Sequence, residues 1–239
     1  EGMYIVTIPA RLTLVAGGDE TGALYGCLEL ADRISEENEI PREIAYYDAP
    51  VMKLRGPVVG LQKTKLEPPR LTYEYPITPD RFPWFYDKAM WEEYMEMMLK
   101  ERCNVLYIWS GHPFSSLVKL PDYPEALEVT EEEYQRNREI FAWLTEECDK
   151  RGIWVVLKFY NIHIPYPFAV KHNLELLQSS INPLVADYTY KSIVEFVKSY
   201  PHIGLMVCLG EALRGNQNKT RWFVETILPA VKQGVAEAG

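Results

Sequence analysis

Four short apolar runs recur along the chain at Met52–Gly60, Asn104–Ser110, Ile153–Ile164 and Ile203–Leu209, each bounded by polar residues or by Gly and Pro. Continuous apolar runs of this length are the pattern of parallel strands buried on both faces. Between them apolar residues return at helical spacing over Ala89–Arg102, Glu131–Arg151 and Tyr188–Tyr200, and once more over Trp222–Val235. Strand followed by helix, four times over, predicts an α/β fold made of the first half of a (β/α)8 TIM-type barrel, filling residues 46–239. Ahead of it, two strands at Met3–Ile8 and Arg11–Ala16, a Gly17-Gly18-Asp19 turn and a helix over Thr21–Ser35 predict a small α/β accessory domain over residues 1–45. In that helix Leu24, Leu28 and Ala31, with Tyr25 beside them, form the apolar face expected to cover the sheet. Asn38–Ala45 reads as the link between the two.

A barrel of this kind builds its site from the residues at the C-terminal ends of its strands. Those residues are Trp109 and His112 after the second strand, and Tyr160, Asn161 and His163 in or after the third, while Arg55 and Lys158 are candidates within the first and third strands. Glu211 and Arg214 follow the fourth. A complete barrel takes about 250 residues, so the chain is expected to be a piece of a longer protein. A homodimer that closes two half barrels is the alternative, because an open parallel sheet leaves an edge to be covered.

Composition narrows the function classes. With 47% hydrophobic and 25% charged residues the chain is an ordinary globular one, and no apolar run nears the roughly 20 residues of a membrane span. The formal net charge of −9 and the scatter of its Lys and Arg argue against nucleic acid as a partner. Six Trp and sixteen Tyr supply many aromatic faces on which sugar rings stack, although core packing accounts for most rings in any protein. Cys27, Cys103, Cys148 and Cys208 stand far apart in apolar surroundings and read as buried free thiols. His112, His163, His172 and His202 show no metal-binding spacing, so no metal or cofactor is expected, and His172 and His202 read as surface residues.

The segments GMYIVTI, LTLVAGGDETGALYGCLELADRI and YYDAPVMKLRG resemble the end of the accessory domain that precedes the catalytic barrel in β-N-acetylhexosaminidases and α-glucuronidases. In those enzymes a helix opening on Gly-Ala-x-Tyr-Gly leads to an Asp-x-Pro entry into the barrel. Arg55-Gly56 is similar to the Arg-Gly of the first hexosaminidase strand. MLKERCNVLYIW is similar to their second strand and DKRGIWVVLKF to their third, so the resemblance covers nearly the whole chain. The fourth strand separates the two families. Hexosaminidases end it in adjacent Asp and Glu, where this chain has Gly210-Glu211. SYPHIGLMVCLGEAL is more similar to the α-glucuronidases, whose Ser-Glu-Gly carries the acid, with Gly210 here for Ser and Ala212 for Gly. The resemblance implies a glycoside hydrolase with Glu211 as general acid. Its substrate would be an oligosaccharide or polysaccharide, one containing uronic acid if the α-glucuronidase likeness holds, and its location periplasmic or secreted. A β-N-acetylhexosaminidase-like hydrolase and a non-catalytic carbohydrate-binding barrel are the alternatives.

The residues themselves fit that chemistry. Glycosidic cleavage needs an acid to protonate the departing oxygen and a second carboxylate across the ring. Leu209 and Leu213 around Glu211 would desolvate it partly and raise its pKa, as an acid requires. The plainer reading of Glu211 is a solvated carboxylate after a strand. Lys158 is the one charge in an apolar strand and calls for an anionic partner or a substrate carboxylate. Arg55 suits a sugar hydroxyl or a uronate, or else an internal ion pair. Trp109 and His112, in WSGHPF, read as a stacking wall and a hydrogen-bond donor, and His163 as ligand or core. The Pro-rich stretch 62–85, with five of the seventeen Pro, reads as a functional loop able to offer Tyr73, Tyr75 or Trp84 to a sugar.

Overall fold

The computed structural model describes residues 2–8, 12–70, 75–160, 163–209 and 212–239. They divide into two compact units, residues 1–56 with 93–105, and residues 57–92 with 106–239.

In the first unit β1 (Met3–Ile8) is the centre of an antiparallel sheet, between β2 (Leu12–Gly17) and β3 (Ala45–Asp48). Pairing runs from Met3 opposite Gly17 to Ile8 opposite Leu12, and Met3 also faces Asp48. The end of the expected link is therefore the start of a third strand. Helix α1 (Glu20–Glu37) begins where Asp19 accepts a 2.7 Å bond from the Gly22 amide, and it ends at Asn38 in the left-handed conformation. Its buried residues are Gly22, Tyr25 and Gly26, whereas Leu24 and Leu28 are half-buried and Ala31 is exposed. The covering face is thus rotated from the expected one. Gly26 explains the rotation, because a Cβ there would lie 2.6 Å from Val15 Cγ1, so the helix comes down on the sheet through its glycine.

The strand expected over Met52–Gly60 is confined to β4 (Val58–Gly60). Residues Val51 and Met52 are exposed, and although Arg55 O accepts from the main-chain amides of Asn104 and Val105, Arg55 N and Lys53 O are taken by a side chain. Asn104 Nδ2 donates to Lys53 O at 2.7 Å and Asn104 Oδ1 accepts from Arg55 N at 2.8 Å.

The second unit is built on a four-stranded sheet in the order β4, β5 (Val105–Trp109), β6 (Trp154–Tyr160), β7 (Ile203–Cys208), with β4–β5 and β6–β7 parallel. Helix α2 (Lys88–Lys100) starts in this unit and continues in the first, and α3 (Phe114–Leu117), α4 (Glu131–Lys150), α5 (Tyr166–His172) and α6 (Pro183–Ser199) lie within it. Helix α4 starts on a capping box between Thr130 and Glu133. Helix α6 starts earlier than its apolar spacing predicts, because Asn182 caps Leu184 N at 2.9 Å ahead of Pro183. The last predicted helix is three pieces, α7 (Asn216–Trp222), a π-turn (Phe223–Ile227) and α8 (Leu228–Ala238). Pro229, which has no N–H to give to a regular ladder, is the second residue of α8, just past the π-turn.

One face of the sheet is fully buried, with Leu106, Ile108, Val155, Leu157 and Phe159 at 1% exposure or less. An aromatic core continues from it, in which the Phe196 ring lies 5.7 Å from Phe114, 6.0 Å from Phe141 and 4.9 Å from Tyr200. The opposite face departs from the expectation of two-sided burial. Among the described residues it leaves Trp154 66%, Val58 58% and Met206 46% exposed.

Candidate active site

The open face carries the side chains that chemistry needs. Lys158 and Tyr160 are two apart in β6 and so project to the same side, where both meet Trp109, the last residue of β5. The Tyr160 ring meets the indole edge-on at 4.9 Å, and Lys158 Nζ lies 5.3 Å from the indole centroid. His163 extends the row, with its ring 4.9 Å from Tyr160. The structure therefore brings together four of the sequence-predicted residues, Trp109, Lys158, Tyr160 and His163, at the C-terminal ends of adjacent strands. Lys158 is half-buried, and among the described residues no carboxylate pairs with it. A cation held over an aromatic ring can bind an anion brought by a ligand.

His112 has a different place from the one its sequence implies. Its Nε2 is 2.8 Å from the hydroxyl of Tyr188, a buried residue of α6, and the two rings are stacked at 5.9 Å. Burial, and then the neighbouring His163 side chain, push its pKa from 6.5 to about 3, while the His163 backbone carbonyl pulls the other way. His112 is a neutral strut between α6 and the strand-end loops rather than a group held out to a ligand. Burial likewise drives the Tyr188 hydroxyl far above its ordinary value, so it stays protonated.

This gives a pH signature. Between about pH 6.5 and 3 the unfolded chain binds a proton at His112 that the folded chain does not, so stability should fall as pH drops through that window. Urea unfolding at pH 7 and pH 5 should show a smaller acid loss in His112→Gln than in the parent. Equal losses would refute the assignment.

Beside His163 the loops after β4, β5 and β6 enclose a cleft of about 420 Å³, its open mouth included. Arg70 and Glu128 meet there in a 2.9 Å ion pair. Neither was singled out by the sequence. Arg70 follows a Pro-Pro pair in the long loop and Glu128 reads as one more acid before an acidic helix start, so the only signal was the length of the Pro-rich loop. Tyr75 serves that loop itself, since its hydroxyl donates to Lys65 O at 3.1 Å and accepts from Glu67 N at 2.7 Å. Trp84 packs against Phe82, Phe85 and Trp91 in an aromatic cluster.

The remaining candidates are elsewhere. Arg55 belongs to the first unit, where its guanidinium donates to the carbonyls of Arg102 at 3.0 Å and Met52 at 2.7 Å. Arg214 is exposed, and its amide donates to Ser179 O at 3.0 Å. Glu211, Asn161 and Tyr73 lie outside the described residues. His172 bonds Glu125 at 2.7 Å and His202 pairs with Asp149 at 3.2 Å. The four cysteines are free, but only Cys148 is buried, and Cys27 in α1 is exposed. Burial pushes the Cys148 thiol up to about 12, which leaves it inert.

Among solved structures the chain is similar to a GH138 enzyme targeting pectin rhamnogalacturonan II, with a TM-score of 0.93 and 46% identity. That likeness covers 98% of this chain and 27% of the other, so the chain spans about a quarter of its length. It is also similar to a glycoside hydrolase family 20 β-N-acetylglucosaminidase, with a TM-score of 0.60, 14% identity and coverage of 97% and 52% of the two chains. The chitobiase of Flavobacterium johnsoniae follows, with a TM-score of 0.59, 12% identity and coverage of 97% and 38%. At these lower identities the likeness speaks for the fold alone. No protein-family model and no curated protein matches the chain.

Proposed function

We propose that this chain is the accessory segment and the first half of the (β/α)8 barrel of a glycoside hydrolase that acts on a uronic-acid-bearing plant polysaccharide. The observation that carries this reading is the 46% identity with the pectin-targeting GH138 enzyme along 98% of the chain. The cluster at the strand ends supports it, since aromatic faces beside a half-buried lysine suit a sugar that carries a carboxylate. In this reading Glu211, which the sequence sets at the end of the fourth strand, is the general acid. Trp109 and Tyr160 form the wall for the ring, and Lys158 receives the uronate. The second carboxylate comes from the rest of the protein, and its separation from Glu211, about 5 Å or about 6.5–9.5 Å, sets retention or inversion.

The test is hydrolysis of pectin-derived uronic-acid oligosaccharides and of the same oligosaccharides with their carboxyl groups chemically reduced. The full-length protein should prefer the native form. Lys158→Met should erase that preference, by about 10–100-fold in kcat/KM, the value of a hydrogen bond to a charged group. A parent protein indifferent to the carboxylate would contradict the assignment of Lys158.

A further inference from the structure

The antiparallel sheet of the first unit carries apolar side chains on both faces. Helix α1 covers one of them. Met3 and Ile5 are buried there, a Cβ on Gly26 would meet both Met3 and Val15, and the Arg33 guanidinium sits 4.5 Å over the Tyr46 ring. The alternate residues point the other way. Strand register sets Tyr4 between Ala16 and Tyr47, Val6 between Leu14 and Ala45, and Ile8 beside Leu12. All eight are aliphatic or aromatic, and Tyr4, Ile8, Leu12, Leu14 and Tyr47 are between 37% and 67% exposed. An antiparallel sheet with one face in water alternates apolar with polar residues, and this one does not. Its edges are no better suited to water, since β2 carries no charge and β3 none before Asp48.

We propose that this outer face is an internal interface of the full-length protein, covered by an apolar layer folded from the part of the same polypeptide outside residues 1–239. The inference rests on the reading of the chain as one segment of a longer glycoside hydrolase, and it concerns a surface that the catalytic assignments do not use. A polysaccharide suits the face poorly. A sugar stacked on Tyr4 and Tyr47 would set its hydroxyls against Ile8, Leu12 and Leu14, and among the eight side chains only the two phenols can form a hydrogen bond.

Area argues against a second copy of the chain. At roughly 200 Å² for a fully exposed side chain of this size, the five exposed residues offer about 500 Å². A stable two-chain interface takes about 800 Å² from each partner. Two parts of one polypeptide need less, because their linkage supplies a high effective concentration. The match accounts for 27% of the GH138 enzyme's own chain, so most of a protein of that kind lies outside these residues. Among the described residues neither the Tyr4 nor the Tyr47 hydroxyl has a hydrogen-bond partner. Buried tyrosines find one, so the covering layer is apolar with an acceptor for each phenol.

The experiment is hydroxyl-radical footprinting of the full-length parent, read by mass spectrometry. Tyr4, Leu12, Leu14 and Tyr47 should be labelled as slowly as the buried Tyr25 and Ile5, at every protein concentration and without added glycan. Labelling at the rate of the urea-unfolded protein overturns the interface. Protection lost on dilution, with the mass halving in ultracentrifugation, overturns it in favour of a second copy. Protection that needs added pectin oligosaccharide overturns it in favour of substrate. Leu14→Lys should lower the melting midpoint by at least about 5 °C on a covered face, and a shift below about 2 °C would mean a solvated one. Leu14→Cys carrying a benzophenone maleimide should crosslink, within one molecule, to peptides from outside residues 1–239. Crosslinks confined to residues 1–239, or made to another molecule, contradict the assignment. Should either variant fail to fold, the footprint of the parent decides. No readout depends on activity, so a parent that hydrolyses nothing would end the glycosidase reading and leave the interface to stand or fall on its own.

Discussion

Glu211→Gln in the full-length protein is expected to lower kcat by about 10²–10⁴-fold, the usual contribution of a positioned general acid, while oligosaccharide binding is kept. The amide is nearly isosteric with the carboxylic acid but has no proton to give to the departing oxygen. The deficit should therefore depend on the leaving group. An aryl glycoside whose phenol departs as a stable anion needs little protonation, and on it the variant should recover much of its rate. A deficit that is the same for sugar and aryl leaving groups would contradict the acid role, and an equally active variant would remove Glu211 from the mechanism.

The largest effect expected on stability is that of Phe196→Ala. Phe196 is fully buried in α6 and its ring touches Phe114, Phe141 and Tyr200. Truncation removes the transfer energy of the ring and leaves a cavity that three rigid aromatic neighbours fill poorly, at a cost of about 3–5 kcal/mol. For a domain of this size each kcal/mol moves the melting midpoint by roughly 2–4 °C. A loss below about 1 kcal/mol would mean that α6 does not seal the core as described.

The strand and helix order could be read from apolar runs because burial on the helix-covered face imposes it: β5, β6 and β7 fall where continuous apolar stretches lie. Boundaries were less legible where polar side chains replaced backbone pairing. The Asn104 side chain takes Lys53 O and Arg55 N, and the apolar run at Met52–Leu54 is not strand. The covering face of α1 was misjudged because Gly26 acts through what it lacks, and no hydrophobic count registers a close approach. The row Trp109, Lys158, Tyr160 and His163 was legible because strand alternation and strand-end position are local features. His112 was not, since its partner Tyr188 is 76 residues away. Arg70 and Glu128 were likewise invisible, being brought together across 58 residues by three loops with no shared periodicity.

The most direct measurement is the release of reducing ends when the full-length protein is incubated with rhamnogalacturonan II fragments and, in parallel, with N-acetylhexosamine oligosaccharides, binding being followed for both. Cleavage of the uronic-acid-bearing fragments, with the N-acetylhexosamine series left intact, is the predicted result. Binding of the pectin fragments without turnover would contradict a glycosidase and point to a carbohydrate-binding barrel.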